Sequence, residues 1–265
     1  DNLYVITTVS VIHPTKWDDF ISVNVNGLKK LYEVCESFNL AKFTYISSNS
    51  PFGFNSKNKI FDENTLYCPI GGYGISKKKA EIFLLNKNVP DIITILRAPW
   101  FHGKNMPDRQ KLFLRKAAYA KFPLIGNGLN KRSIVNVEDL AKASLNVTFN
   151  SRKSQIYWIA EKNLTMNQLL LLINRSARKL FKKKGIEIKN KKILRLPYGF
   201  STVFKIMDKL IQSIKIYNKY VHVFSELGQN IYVSSEKYRK EFPNHNWRCI
   251  NLTIFDELKE AFDCN

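Results

Sequence analysis

The sequence predicts an α/β fold in which a doubly wound parallel sheet is joined to a smaller C-terminal α/β lobe. Three short apolar runs rich in β-branched and aromatic residues, at 3–8, 42–47 and 92–97, indicate buried strands of a parallel sheet. Apolar residues at helical spacing fill the segments 20–38 and 73–88 between them. Strands that alternate with helices of this length are typical of βαβ units with right-handed crossovers.

Beyond residue 101 the regular alternation breaks down. Residues 109–121 have a helical pattern, and 133–137 and 154–160 have the character of strands. Thr165 then opens a helix that is rich in leucine and basic residues. This second half therefore predicts a separate, mixed lobe rather than a continuation of the first sheet.

The chain is strongly basic, because 42 Lys and Arg residues oppose 22 Asp and Glu residues and leave a formal net charge of +20. Such a balance invites a nucleic-acid or membrane-surface partner. The basic residues are mostly scattered, however, and no nucleic-acid recognition motif accompanies them. We expect no nucleic-acid partner, and we interpret the charge as solvated faces with some attraction for anionic substrates.

The four cysteines and four histidines form no CxxC pair and no metal-binding spacing. We expect no metal site, and a chain of this size without a disulfide pattern suits a reducing compartment such as the cytoplasm. The longest apolar stretch, 197–220, contains five charged residues. It therefore predicts an amphipathic packing helix rather than a membrane span.

Tyr73 and Lys77 are the most informative pair of residues for chemistry. They stand at i and i+4 on a predicted helix, so both side chains project from the same face. A phenol is a poor acid or base at neutral pH because its unperturbed pKa is about 10. A neighbouring ammonium favours the phenolate and makes the tyrosine more useful as a proton shuttle. Taken alone, the Tyr-x-x-x-Lys pattern fits an ordinary surface helix equally well.

Ser48 lies at the carboxyl end of the predicted strand 42–47, where open α/β sheets place their binding sites. Its hydroxyl could hydrogen-bond the substrate oxygen that Tyr73 protonates or deprotonates. The alternative is that Ser47, Ser48 and Ser50 only form a turn at the end of the strand.

Six segments occur in an order that is found in one enzyme family. They are Asn-Val-Asn-Gly at 24–27, Ser-Ser-Asn-Ser-Pro-Phe-Gly at 47–53, Tyr-Gly-Ile-Ser-Lys followed by Ala-Glu at 73–81, Leu-Arg-Ala-Pro-Trp-Phe-His-Gly at 96–103, the segment 126–139 and the segment 234–247. Together they resemble the extended short-chain dehydrogenase/reductases, the NAD-dependent epimerase/dehydratase family. The resemblance covers essentially the whole chain.

The resemblance implies a Rossmann-like sheet that is missing its first strands. Residues 1–103 would form the C-terminal part of an NAD(P)-binding Rossmann domain. Residues 104–265 would form mainly a substrate-binding lobe, with segments that return to the Rossmann core. NAD or NADP is the implied cofactor, and a homodimer through the helices that carry Asn24 and Tyr73 is the implied assembly.

The resemblance also implies a catalytic role for four residues. Tyr73 moves the proton of a substrate hydroxyl or carbonyl, and Asn24 supports this proton relay. Lys77 lowers the pKa of Tyr73 and holds the nicotinamide ribose, while Ser48 orients the substrate oxygen. The implied cofactor-binding residues are Thr7, Thr8, Tyr73, Lys77 and Pro99. The implied substrate-binding residues are Ser48, Asn49, Trp100 and Arg132, of which Arg132 matches a residue that often meets a substrate phosphate.

Three departures from the family pattern have consequences. The sequence contains no Gly-x-x-Gly-x-x-Gly turn to place a pyrophosphate at a helix N-terminus. The run 3–8 matches the family's fourth strand, so we expect this chain alone to bind cofactor poorly and to fold badly. Asn49 and Ser50 stand where dehydratases carry an Asp-Glu pair, which argues against a sugar 4,6-dehydratase. Trp100 replaces an asparagine that many nucleotide-sugar enzymes have.

Three functions therefore stay open. The favoured one is NAD(P)-dependent epimerisation or oxidoreduction of a nucleotide sugar by hydride transfer. The second is a 3β-hydroxysteroid-dehydrogenase-like oxidation of an apolar secondary alcohol, suggested by Trp100 and by the apolar stretch 197–220. The third is a non-catalytic basic binding module, suggested by the net charge of +20.

Overall fold

The computed structural model of the chain describes residues 2–55, 59–89, 91–151, 155–186 and 192–262. The strands within these ranges are β1 (Leu3–Thr7), β2 (Leu40–Ser48), β3 (Ile93–Ala98), β4 (Trp100–His102), β5 (Leu124–Ile125), β6 (Lys131–Asn136), β7 (Gln155–Trp158), β8 (Lys162–Thr165) and β9 (Arg195–Leu196). The helices are α1 (Asp19–Ile21), α2 (Leu28–Glu36), α3 (Gly71–Leu85), α4 (Asp108–Ala118), α5 (Val137–Asn150), α6 (Met166–Lys183), α7 (Tyr198–Ser213), α8 (Lys219–Glu226), α9 (Glu236–Glu241) and α10 (Ile250–Ala261).

The first sheet is the frame for the candidate site. Its strand order is β1-β2-β3-β7, and all neighbouring strands in it are parallel. Phe43 and Tyr45 of β2 point to one face and pack with residues of α2 and α3. Thr44 points to the other face, where its hydroxyl lies 2.7 Å from that of Thr148 on α5. Helices on both faces explain why these strands are almost continuously apolar.

The second half of the chain builds a smaller α/β lobe. Its sheets are β4-β6-β8, in which β6 and β8 are antiparallel, and the parallel pair β5-β9. Helices α4, α6 and α10 enclose a separate apolar core that includes Leu114, Ile173 and Leu258. One strand of this half, β7, returns to the first sheet beside β3. The predicted domain boundary between residues 103 and 104 stays a prediction.

The predicted strands and helices of the first 103 residues all form, with ends that shift by a few residues. The main departure is in the helix expected at 20–38, where a π-helical segment, Ser22–Gly27, joins α1 to α2. π-Helical segments are rare in proteins, but those that occur often lie at functional sites. The predicted strand at 154–160 corresponds to β7, and residue 154 lies outside the described residues.

The stretch 197–220 differs most from its prediction. It forms α7, a short connection and the start of α8, and the side chains that α7 buries are Ser201, Asp208 and Gln212. The expectation of an amphipathic packing helix is met only in part: Phe204 packs against Phe224 of α8, but hydrogen bonds to α3 and α8 hold polar side chains inside and leave other apolar ones exposed. No helix of the described residues has the length and apolar character needed to cross a membrane.

Strand β1 forms one edge of the first sheet within the described residues, where it pairs with β2. Tyr4 and Ile6 on this strand are exposed, and the Tyr4 ring lies 5.1 Å from that of Phe149 on α5. The interpretation of 3–8 as the family's fourth strand stays a prediction. The expected weakness in folding and in cofactor binding stays a prediction.

Candidate active site

A cleft of about 390 Å³ opens at the carboxyl ends of β2 and β3, where a parallel sheet is expected to place its site. The predicted site residues that line it are Ser48, Asn49, Tyr73, Pro99, Trp100 and Arg132. The other predicted residues, Thr7, Thr8, Asn24 and Lys77, lie outside this lining. The structure thus brings six separate sequence positions to one cavity, and the roles assigned to them stay predictions.

A tight turn holds Ser48 at the carboxyl end of β2. The backbone N–H of Ser50 donates to the Ser48 hydroxyl at 3.2 Å, and the two serine hydroxyls lie 3.1 Å apart. A 3-10 turn, Ser50–Phe52, follows Ser48 closely and has Pro51 as its second residue. The turn therefore forms, and Ser48 also lines the cleft, so its contact with a substrate oxygen stays a prediction.

Tyr73 stands in the first turn of α3 and lines the cleft together with Ser48. Burial raises the pKa of Tyr73 above its ordinary value, while the nearby hydroxyls of Ser10 and Ser48 and the Arg109 guanidinium lower it. The net result is a raised pKa, so the phenol is protonated at neutral pH in this structure.

The close approach of α3 to the Ser48 turn depends on Gly74. A Cβ atom at this position would lie 2.6 Å from the carbonyl oxygen of Ser50. The N-terminus of the helix is fixed as well, because the N–H of Gly72 donates to Gln212 Oε1 at 2.7 Å. The absence of a side chain at position 74 therefore allows Tyr73 and Ser48 to meet.

Lys77 lies one turn after Tyr73 and is 2% exposed. Its ammonium donates to the carbonyl of Ile46 at 2.8 Å and lies 4.5 Å from the centroid of the Tyr45 ring. Burial lowers the pKa of Lys77 to about 7, although the carboxylate of Glu81 favours the charged form. In this structure Lys77 is directed at β2, and Arg109 is the cation that lowers the pKa of Tyr73.

Glu81 continues the same face of α3 and anchors the helix to the sheet. It forms an ion pair with Arg97 of β3 at 2.8 Å, accepts a hydrogen bond from Ser47 of β2 and accepts another from Tyr67 at 2.6 Å. Arg97 and Glu81 are both almost fully buried. A charge pair that is buried and hydrogen-bonded in this way is costly to break, so it fixes the height of α3 over β2.

Asn24 lies in the π-helical segment and is buried. Its amide closes a ring with the backbone of Val11, accepting from the N–H at 2.7 Å and donating to the carbonyl at 3.0 Å. It also donates to the Ser76 hydroxyl at 2.9 Å and accepts from the Ser10 hydroxyl at 3.2 Å. Asn24 therefore holds the hydroxyl of Ser10, which in turn lowers the pKa of the Tyr73 phenol.

The three remaining residues of the predicted cofactor site follow strand ends. Thr7 ends β1 and is buried, and its hydroxyl oxygen has no hydrogen-bond partner within the described residues. Thr8 comes next and is exposed, while Pro99 follows β3 and lines the cleft. An unsatisfied buried hydroxyl in a binding region calls for a ligand or a water as its partner.

The substrate end of the cleft combines an aromatic wall with a guanidinium. The Trp100 ring packs edge-on against Phe113, with centroids 5.0 Å apart. Arg132 donates to the backbone carbonyl of Glu226 at 2.5 Å, and its other terminal nitrogen lies 3.8 Å from the carboxylate of Glu226. Asn49 also lines the cleft, so no carboxylate stands directly after Ser48.

Sequence reasoning missed several residues that contribute to this site. Arg109 and His222 line the cleft, and His13 contacts both Arg109 and Tyr217. Burial lowers the pKa of His13 to about 4, with help from the Arg109 charge. No local pattern reveals these contacts, since His13 and Arg109 are 96 positions apart in the chain. Ser10 likewise follows a strand without any motif of its own.

Comparisons with known proteins agree with this geometry. The family model for the NAD dependent epimerase/dehydratase family matches residues 10–160. An uncharacterized protein of Sinorhizobium fredii is 33% identical over 241 residues, which cover 89% of this chain and 67% of that protein. The N-acetyl-alpha-D-glucosaminyl-diphospho-ditrans,octacis-undecaprenol 4-epimerase of Escherichia coli O157:H7 is 28% identical over 205 residues. That match covers 72% of this chain and 57% of the epimerase.

Solved structures share the fold at low sequence identity. The dTDP-glucose 4,6-dehydratase of Bacillus anthracis, in complex with NAD, has a TM-score of 0.70 and 18% identity, covering 98% of this chain and 72% of that one. The UDP-glucuronic acid 4-epimerase of Bacillus cereus, also with NAD, has a TM-score of 0.69 and 16% identity, covering 99% and 75%. The predicted fold class and the nicotinamide cofactor of the family are confirmed. The chain belongs to the NAD dependent epimerase/dehydratase family.

Proposed function

We propose that this protein epimerises or oxidises a carbinol carbon of a sugar carried on a diphosphate, with NAD or NADP as the hydride carrier. The observation that carries the proposal is that Ser48 and Tyr73 line the same cleft and that the Ser48 hydroxyl is close enough to the Tyr73 phenol to lower its pKa. Two hydroxyls at the end of a parallel strand offer one donor and one acceptor to a single substrate oxygen. This arrangement suits proton transfer at a secondary alcohol or a ketone.

The residues present fit the nicotinamide end of a dinucleotide better than its pyrophosphate. The unpartnered buried hydroxyl of Thr7, the Ser48 turn and Pro99 stand at the carboxyl ends of three adjacent strands. The sequence has no glycine-rich turn to receive the pyrophosphate. When bound, the nicotinamide accepts or returns a hydride, and the protein supplies the placement and the proton.

In the proposed proton transfer, Tyr73 exchanges a proton with the substrate oxygen. Ser48 donates a hydrogen bond to the same oxygen and keeps it within reach of the phenol. A negative charge on Tyr73 is stabilised by Arg109 and by the hydroxyl of Ser10, which lower the pKa of the phenol. Lys77 has a pKa of about 7, so a modest rise in nearby negative charge is sufficient to protonate it. We propose that it then contacts the nicotinamide ribose.

The proposed substrate class follows from the other end of the cleft. Trp100 and Phe113 present an aromatic wall for the sugar ring, and Arg132 is the guanidinium proposed to meet a phosphate. The printed names of the relatives include a sugar on an undecaprenyl diphosphate and sugars on nucleoside diphosphates, so their common element is the sugar diphosphate. Asn49 after Ser48 favours epimerisation or simple oxidation over elimination of water, which needs a carboxyl acid and base there.

A sugar-diphosphate panel with NAD and NADP tests the proposal, with product stereochemistry and reduced nicotinamide as the readouts. Tyr73→Phe should lower kcat by about 10²- to 10⁴-fold, because it removes only the proton donor. Tyr220→Phe is the matched control, since Tyr220 is 66% exposed and does not line the cleft. Full activity of Tyr73→Phe would exclude the relay, and no turnover of any sugar diphosphate by a preparation shown to bind NAD or NADP would exclude the substrate class.

A further inference from the structure

Helix α7 turns its apolar side outward. Five apolar residues at spacings of three and four share one face of the helix and its last turn, and they are 41% to 67% exposed: Val203, Ile206, Met207, Leu210 and Ile214. We call these five the α7 apolar face. A helix that packs on a protein core shows the opposite arrangement, with its apolar stripe buried.

Specific hydrogen bonds fix this unusual orientation. Gln212 accepts from the N–H of Gly72 at 2.7 Å and donates to Asp208 at 2.9 Å. The other carboxylate oxygen of Asp208 lies 2.8 Å from Nδ1 of His222 on α8. Rotating α7 to bury its apolar face would leave these buried polar groups without partners, at a cost of about 1–3 kcal/mol for each group.

The surroundings of the α7 apolar face are basic. Lys205 and Lys209 lie along one flank of α7, and Lys215 and Lys219 follow it, all exposed. The acidic residues of the same region are Asp208, which is buried, and Glu226, which is paired with Arg132 and His222. A second copy of this chain on the same face would bring like charges together, whereas an anionic surface complements both the lysines and the net charge of +20.

We propose that the α7 apolar face and its lysines dock the protein on an anionic lipid bilayer, with α7 lying in the plane of the interface. An apolar stripe with lysines beside it is the pattern of interfacial helices, whose long basic side chains extend to the headgroups. The docking goes beyond the proposed catalysis and does not depend on it. Docking would also position the cleft, because His222 and Val223 of the neighbouring helix α8 line it. The opening of the cleft would then lie near the membrane surface.

Flotation of the chain with lipid vesicles tests the docking directly. We expect binding to vesicles that contain phosphatidylglycerol, little binding to pure phosphatidylcholine, and a decrease as salt rises. Leu210→Glu should weaken the partition on the order of tenfold or more, since it removes an apolar contact and adds a repelled charge. Leu252→Glu on α10 is the matched control, because Leu252 is 68% exposed and Leu210 is 63% exposed.

The outcomes separate the docking from other uses of the face. Loss of flotation with Leu210→Glu but not with Leu252→Glu, at unchanged thermal stability, supports the proposal. Absence of flotation of the unmodified chain overturns it. A dimer that Leu210→Glu dissociates, without any vesicle binding, also overturns it and identifies a second copy as the occupant. Equal losses with both variants would show that the binding is not confined to α7.

Discussion

The close approach of α3 to the backbone of the Ser48 turn gives a quantitative prediction for Gly74→Ala. The new Cβ would lie 2.6 Å from the Ser50 carbonyl oxygen, while ordinary van der Waals contact begins at 3.4 Å, so α3 and the Ser48 turn must separate by about 0.8 Å. Ser50 belongs to the turn that aims Ser48, and Gly74 is adjacent to Tyr73. The separation therefore increases the distance between the hydroxyls of Ser48 and Tyr73, the two proposed catalytic groups.

Two effects on stability oppose each other in this variant. Alanine in a helix interior is more favourable than glycine by about 1 kcal/mol. Overpacking in a closely packed site costs about 1–3 kcal/mol. Gly74→Ala should therefore lower the free energy of unfolding by about 0–2 kcal/mol. A misplacement of about 1 Å in an active site reduces kcat on the order of 10²-fold, which is the larger and more diagnostic change.

Gly199→Ala supplies the matched control. Gly199 lies in α7, and a Cβ atom there would meet nothing within 4 Å. This variant should raise the free energy of unfolding by about 1 kcal/mol and leave kcat unchanged. Denaturant unfolding and steady-state kinetics on both variants complete the comparison. If Gly74→Ala matched Gly199→Ala in both stability and kcat, the inferred contact between α3 and the Ser48 turn would be wrong.

Three further predictions concern charged groups. Burial lowers the pKa of Lys77 to about 7 from 10.5, so its burial destabilises the fold most below pH 7 and less as the pH rises toward 10. Without cofactor, the variant Lys77→Met should therefore be more stable than the parent near pH 7. Thermal unfolding should show that this advantage has shrunk by pH 10. His102 is buried, but the carboxylates of Glu161, 3.6 Å from its Nε2, and of Glu257, 2.6 Å from its Nδ1, outweigh that burial and raise its pKa to about 9. Its stabilisation, on the order of 3 kcal/mol, is full below pH 6.5 and lost through pH 9, so the cost of His102→Gln should fall by about that amount in alkaline unfolding measurements. Arg132→Gln should raise KM for a sugar diphosphate about tenfold or more with little change in kcat, and an equal loss in kcat instead would contradict a binding role.

Local pattern was sufficient to predict most of the frame of this fold. Runs of β-branched residues and helical spacing gave β1, β2, β3 and α3 close to their observed ends, because local preference and packing agree in these elements. The resemblance to a family added positions that spacing alone could not rank, such as Asn24 and Arg132. Six of the ten predicted site residues line one cleft.

The partners of these residues could not be predicted in the same way. Ser10 and Arg109 act on Tyr73 through contacts between distant parts of the chain, and neither stands in a recognisable motif. The direction of the Lys77 side chain is another example. The i and i+4 spacing places it on the face of Tyr73, but the carbonyl of Ile46 and the ring of Tyr45 determine where its ammonium lies.

Helix α7 shows most clearly what periodicity leaves open. The spacing of apolar residues in 197–220 identifies an apolar face, and that face exists as expected. Periodicity does not state which side of a helix is covered, because that depends on what the opposite side can bind. Here Gln212 accepts a hydrogen bond from the backbone of α3, and Asp208 hydrogen-bonds His222 of α8. Apolar side chains in the same places could not form these hydrogen bonds. The apolar stripe is therefore left for a partner outside the chain, and the lysines beside it select an anionic one.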